Sequence, residues 1–198
     1  MELITGLVIG VGLSAACGFR IFVPLLGMSI ANLAGHLTLS SGFEWIGSWP
    51  ALITFGTATI LEIGAYCFPW IDNLMDVAAT PAAIVAGTIV TASQVGDVSP
   101  LLKWSLAAVA GGGVCGVVQG GSVAIRAASS GVTGGVGNVL VSAGELLASI
   151  MVTLLAIVLP LVCLIVVTWI CYKMVRIIAK SPLLRKRQQS VGDVRESG

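Results

Sequence analysis

The sequence predicts an all-α integral membrane protein, a polytopic helix bundle of about six spans arranged as two three-helix halves. Three observations predict it. Hydrophobic residues make up 57% of the chain and charged residues 10%, with a mean hydropathy of +1.03, so lipid rather than water is the main solvent. At roughly 20 apolar residues per spanning helix, 198 residues provide about six spans with short connections and no separate soluble domain. Finally, each half reads as a glycine-interrupted segment carrying an arginine, then a helix carrying a glutamate, then a third helix. The expected organisation is one transmembrane domain over 1–179, with halves 1–97 and 98–179, and a short polar tail over 180–198.

The first apolar stretch, Leu3 to Ala34, is about 48 Å long as one helix, more than a bilayer core of about 30 Å requires. It is expected to break between Cys17 and Pro24, where Gly18 and Pro24 weaken helix geometry on either side of Arg20. "LSAAC" ending at Cys17 faintly resembles a lipoprotein cleavage box. Only Glu2 precedes it among charged residues and the apolar run continues to Ala34, so no processed leader is expected. A polar loop follows, in which Trp45 and Trp49 read as interfacial anchors and Pro50 suits the first turn of the next helix. The second span runs from Pro50 to Phe68 and carries Glu62. "PWIDNLMD" connects it to a third span over Val77–Ser93, and "QVGDVSP" is a loop.

The fourth span starts near Leu101 and sets Ala108, Gly112, Gly116 and Gly120 at four-residue spacing, a small-residue stripe that lets helix backbones approach closely. The glycines at 131, 134, 135 and 137 argue against a continuous helix through the segment that starts at Gln119 and carries Arg126. Residues 139–171 fit one kinked helix or two helices turning near Pro160, and symmetry between the halves favours two. "GFRIFVPLLG" matches "AIRAASSGVTGG" weakly, as "TILEIG" matches "SAGELL". Three spans per half would invert one half relative to the other, the plan of many transporters built on broken helices. Chance similarity between two apolar, glycine-rich halves is the alternative.

At "GLSAACGFRIFVPLL", "LEIGAYCFPWIDNLMD" and "IRAASSGVTGGVGNVLVSAGE" the chain resembles a family of small bacterial membrane proteins known as the domain of unknown function four-one-two-six. The resemblance extends from Gly6 to about Pro160. It implies a multi-pass membrane fold and carries no assigned activity. Where it leads one to expect a basic residue ahead of the stretch matching Arg126, this chain has Gln119.

Four charges lie inside or at the edge of apolar stretches: Arg20, Glu62, Arg126 and Glu145. An ionisable group at bilayer depth costs at least about 2.5 kcal/mol and marks either a substrate path or a partnered charge. Arg20 and Arg126 are candidate anion ligands, because a guanidinium stays protonated and offers a planar fork of donors to phosphate or carboxylate. Helix pairing, or for Arg126 an anchoring role in a cytoplasmic loop, is the other reading. Glu62, some twelve residues into its span, is a candidate proton carrier or the static partner of Arg20. Glu145, three residues after Ser142, fits a capping box as well as a binding role.

Asp72, Asn73 and Asp76 can either bind a cation or cap the third span, and capping is favoured because Asp76 sits just before it. The single His36 has no ligand spacing around it, so no metal, cofactor or catalytic triad is expected and the chain does not read as an enzyme. "GVGLSA" at Gly10 lacks the strand and acidic residue of a dinucleotide site and reads as helix packing. Cys17, Cys67, Cys115, Cys163 and Cys171 read as small buried hydrophobes.

Seven of the ten basic residues, from Lys173 to Arg195, lie at the C-terminal end, which places that end in the cytoplasm of a cell with an inner membrane. With an even number of spans the N-terminus would share that side. The basic tail suits anionic lipid headgroups, and nothing else suggests nucleic acid. The function expected is a secondary transporter or lipid-carrier flippase for an anionic small molecule or lipid phosphate, with Arg20, Glu62, Arg126 and Glu145 as the substrate site. The alternative is a structural or assembly protein that docks other helices, or its own copies, through Ala108, Gly112, Gly116 and Gly120.

Overall fold

The computed structural model of the chain describes residues 2–65, 69–96 and 98–180, with the side chains of Glu2, of residues 69–77 and of Lys180 outside that description. Among the described residues all regular structure is helical: α1 (Glu2–Cys17), α2 (Phe22–Leu33), a 3-10 turn (Glu44–Gly47), α3 (Trp49–Ala65), α4 (Pro69–Gln94), α5 (Pro100–Leu106), a π-helical segment (Ala107–Gly112), α6 (Gly113–Thr133), α7 (Asn138–Val158) and α8 (Pro160–Lys180). This is a helical membrane bundle, the architecture in which each backbone satisfies itself in lipid. The run from Pro100 to Thr133 is one unbroken helix. It, α7 and residues 160–179 of α8 are each long and apolar enough to cross a bilayer.

The first apolar stretch breaks over residues 18–21, between the expected limits. The break is a reversal, not a kink. Along α7, Ser149 Oγ donates to the Ala16 carbonyl at 3.0 Å and Ala156 lies against Gly12, so α1 and α7 are antiparallel. On the same helix, Ser142 meets Arg20 and Thr153 meets Gly27, so α2 and α7 are parallel. Both arms therefore leave the 18–21 tip in the same direction, as a re-entrant hairpin. Their outer ends converge on the end of α4: Gly6 packs on the Gln94 carbonyl, and the Ser40 N–H donates to the Ser93 carbonyl at 2.8 Å. The tip reaches the middle of the long helix, where Gly18 packs on Cys115 and Val118. A Cβ at Gly18 would stand 2.6 Å from Val118 Cβ, so only glycine fits.

The remaining helices run between the end that holds the 36–48 loop and the opposite, tail end. α3 descends from the loop end antiparallel to α2, with Gly56 on Leu26 and Glu62 at the tip. α4 returns antiparallel to α1, with Thr91 on Gly10 and Gly87 on Ser14. The long helix descends, since Gly111 meets Thr91 and Cys115 Sγ donates to the Ala83 carbonyl at 3.0 Å. α7 ascends and α8 descends from Cys163, beside Gly12, to Met174, beside Gly121. The second and third helices of the two halves thus run in opposite directions, α3 against α7 and α4 against α8, as an inverted plan requires. The first segments differ: a hairpin in one half and a through-going helix with a π segment in the other. A hairpin enters and leaves at one end, so Glu2 and Lys180 lie at opposite ends and the expectation of both termini on one side does not hold.

Several boundaries also shift. Residues 119–133 are helical despite their glycines, which lie against Met174 and Ile178 or on the open face; the helix ends at Gly134, left-handed at φ 63°. The "PWIDNLMD" segment is the beginning of α4, with Pro69 in the first position, so Asp76 lies inside a helix and is not its cap. The side chains of Asp72, Asn73 and Asp76, together with Cys67 and the tail after Lys180, lie outside the described residues. Residues 139–171 form two helices separated at Leu159. "GVGLSA" lies in α1, where Gly10 and Gly12 are packing positions. Cys17, Cys115 and Cys163 are buried and Cys171 half-buried.

Candidate functional site

The hairpin tip juxtaposes two helix ends of opposite polarity. The carboxyl end of α1 carries a partial negative charge, and the amino end of α2 a partial positive one with N–H groups lacking intrahelical acceptors. The chain answers the amino end with a carboxyl side chain, and an arginine stands at the tip beside it. Glu62, in the last turn of α3, accepts the Ile21 N–H on Oε1 at 2.9 Å and the Phe22 N–H on Oε2 at 3.2 Å, capping α2 from a neighbouring helix. Arg20 lies just after α1, and its Nη2 donates to both the carbonyl of Ser142, at 3.0 Å, and the Ser142 hydroxyl. A stretch of this kind has no Ser, Asp or Asn at the α2 N-cap, which is Ile21, so the cap has to come from elsewhere.

Arg126 and Glu145 form the second charge pair. Arg126 Nε donates to Oε1 at 3.1 Å and Nη2 to Oε2, a bidentate contact between α6 and α7. Glu145 therefore does not cap a helix: α7 starts at Asn138, so Glu145 is in its interior, and Ser142 serves Arg20 instead. Arg126 is in a helix, not a loop. All four charges are buried, with Arg20 1%, Arg126 3%, Glu62 5% and Glu145 6% exposed. The fold brings Arg126 and Glu145 together and sets Arg20 on Ser142 of the same α7 helix, while Glu62 meets the backbone at Ile21 and Phe22.

Beyond Gln119 and Ser142, the sequence did not mark the polar lining around these charges. Gln119, Ser122, Asn138, Ser142 and Ser149 are all buried on α6 and α7. Their signal is spacing: Asn138, Ser142, Glu145 and Ser149 follow one another at four-, three- and four-residue intervals and so line one helix face. The small-residue stripe faces inward for the most part. Gly112 and Gly116 pack on Ile84 of α4 and Gly120 on Ile178 of α8, while Ala108 is exposed.

A second polar seam joins α1, α4 and the π segment. Ser14 Oγ donates to the Gly111 carbonyl at 2.5 Å and Thr91 Oγ1 to the Gly10 carbonyl at 3.1 Å. A π turn leaves backbone carbonyls poorly matched, and the Ser14 hydroxyl takes up one of them.

Comparison with known proteins adds one positive finding. The family model described as a domain of unknown function, DUF4126, matches residues 7–180, and the chain belongs to that family. Neither a curated protein nor a solved structure matches it.

Proposed function

We propose that this member of the DUF4126 family is a secondary transporter that moves a small anion across the inner cell membrane together with a proton, its C-terminus on the cytoplasmic side. The single observation that carries the reading is the Glu62 carboxylate on the Ile21 and Phe22 N–H groups. The amino end of a half-helix beside two guanidiniums is the place where an anionic solute would bind. Here it holds a tethered anion.

The chemistry follows from that occupancy. Protonation of Glu62 removes the charge that its two N–H donors and the nearby guanidiniums favour, and weakens the cap. The freed N–H groups and the field of Arg20 and Arg126 then suit an external monovalent anion in place of the carboxylate. Loss of the anion lets Glu62 ionise and recap α2. One proton and one anion enter and leave the site together, so the exchange is electroneutral within the bundle, and an unpaired buried charge is avoided at each step. Arg126 with Glu145 fixes α6 against α7, and the Ser142 contacts fix Arg20. The basic residues of the tail side and the sparse charge of the loop side support a cytoplasmic C-terminus. The docking alternative gains no comparable support, because most of the stripe is used within the chain.

The test is uptake by the purified protein in liposomes, over that of protein-free liposomes, of the monocarboxylate benzoate and of inorganic phosphate, with and without an inward proton gradient. The reading expects gradient-driven accumulation of at least one of these anions and, for Glu62→Gln, transport that no longer responds to the gradient. Gradient-independent accumulation by the unaltered chain, or none of either anion, counts against it.

A further inference from the structure

Two cavities at the loop end meet at one residue. A polar cleft of about 660 Å³ lies among Thr5 and Gly6 of α1, His36, Ser40 and Glu44 of the α2–α3 connection, and Gln94 at the end of α4. An apolar groove of about 300 Å³ runs between α2 and α7, walled by Ile30, Ala31, Ala34, Leu154 and Ile157. Both fall within the size range of ligand sites. His36 lines both, exposed at the junction. Its place is fixed by the turn that ends α2: Gly35 is left-handed at φ 76°, the His36 N–H donates to the Ala31 carbonyl at 2.8 Å, and Asn32 Nδ2 donates to the Leu37 carbonyl at 2.8 Å.

A half-polar cleft and an apolar groove that share His36, on a helix pair with exposed apolar side chains, suit an amphiphile with its headgroup in the first and a chain in the second. Its headgroup charge can be read from the lining. Among the described residues Glu44, whose Oε2 accepts the Gly42 N–H at 2.8 Å, is the one carboxylate lining the cleft, and no Lys or Arg lines it. The nearby cation is Lys103, whose Nζ donates to Ser40 Oγ at 3.2 Å and stands over the Phe43 ring. A carboxylate in the cleft with an ammonium one hydrogen bond beyond its wall matches a headgroup carrying both an amine and a phosphate. An anionic headgroup would meet Glu44 unfavourably. The groove wall is apolar, and Ile30 and Leu154 are exposed beside it, so a chain seated there stays continuous with the surrounding lipid.

We infer that the loop end binds one amine-headed phospholipid, its ammonium on Glu44 and an acyl chain in the α2–α7 groove. This site lies apart from the four buried charges, and the inference does not rest on the transport reading. The experiment is native mass spectrometry of the purified full chain, released from nanodiscs of equal phosphatidylethanolamine and phosphatidylglycerol. A single retained phosphatidylethanolamine is expected, favoured about tenfold over phosphatidylglycerol, with Glu44→Gln abolishing that preference. Ala34→Phe and, separately, Leu154→Phe narrow the groove and are expected to remove the adduct whatever its headgroup, in variants whose melting temperature is checked first. Equal retention of the two lipids by the unaltered chain, an unchanged preference in Glu44→Gln, or an adduct that survives in folded groove variants would overturn it.

Discussion

Glu62 and Ile21 are separated by 41 positions in the chain, yet the carboxylate of one accepts the backbone N–H of the other at 2.9 Å and takes the Phe22 N–H on its second oxygen. The contact explains why a chain this poor in charge retains a buried glutamate at all. Reversing direction inside a bundle leaves the N–H groups at the start of α2 without intrahelical acceptors at a part-buried site. The Glu62 carboxyl group on α3 supplies two acceptors at once. The same carboxylate is then the group whose protonation state decides whether the α2 start is filled.

Replacing Glu62 separates its two roles. Glu62→Ala leaves two part-buried N–H groups without that acceptor, at up to about 1–3 kcal/mol each, whereas Glu62→Gln keeps a carbonyl oxygen for one of them. Denaturant titration in micelles, followed by circular dichroism, is expected to rank the stabilities as unaltered chain, Gln, then Ala, with Ala at least about 2 kcal/mol below the unaltered chain. Equal stability of all three would show that α2 needs no cap from α3.

The Arg126–Glu145 pair is expected to be strongly coupled. Breaking a buried, bidentate pair by removing one partner costs about 3–5 kcal/mol, because the other charge is left unmatched, while replacing both by apolar residues of similar volume is nearly neutral. Arg126→Met and Glu145→Leu should each destabilise by that amount, and the double variant should recover most of the loss. Additive losses across the cycle would mean that Glu145 acts without Arg126, as a helix cap would.

The sequence carried the identity of the charged residues but not their partners, and the reasons are physical. Arg20, Glu62, Arg126 and Glu145 stand out because each interrupts an apolar run, a local signal. The break at 18–21 is equally local, since Gly18 and Pro24 bracket it. The pairing is a tertiary property: Arg20 with Ser142 spans 122 positions, and no periodicity predicts it. Ser142 followed by Glu145 matches a capping box in sequence, but a capping box exists only where a helix begins, and α7 begins at Asn138. Of the glycines expected to break the helix, Gly134 and Gly135 do so, both left-handed just past Thr133, whereas Gly131 stays helical on the open face and Gly120 and Gly121 are packing positions against Ile178 and Met174.

Ser142→Ala tests which of its two roles is real. As a partner of Arg20 the hydroxyl makes a charge-assisted hydrogen bond, a class worth about 1.5–3 kcal/mol, and its loss should be felt only while Arg20 is present. The expected result is a destabilisation of about 1.5 kcal/mol or more in the unaltered background that disappears in Arg20→Gln. A loss of the same size in both backgrounds would instead assign Ser142 to the helix backbone.

The hairpin makes the sharpest topological prediction. A first stretch that crossed the membrane as one broken span would put Thr5 on the same side as the end of α8 in a six-span chain. A stretch that reverses at 18–21 puts Thr5 beside Ser41, and both opposite Arg176. In a background lacking Cys17, Cys67, Cys115, Cys163 and Cys171, single cysteines at Thr5, Ser41 and Arg176 can be labelled with a membrane-impermeant maleimide in sealed right-side-out vesicles. Cysteines at 5 and 41 are expected to react without permeabilisation and the one at 176 only after it, because the basic end faces the cytoplasm. Should the cysteines at 5 and 176 react from the same side, the α1–α2 reversal is excluded. With it would go the placement of the α2 start deep in the bundle, on which the role of Glu62 depends.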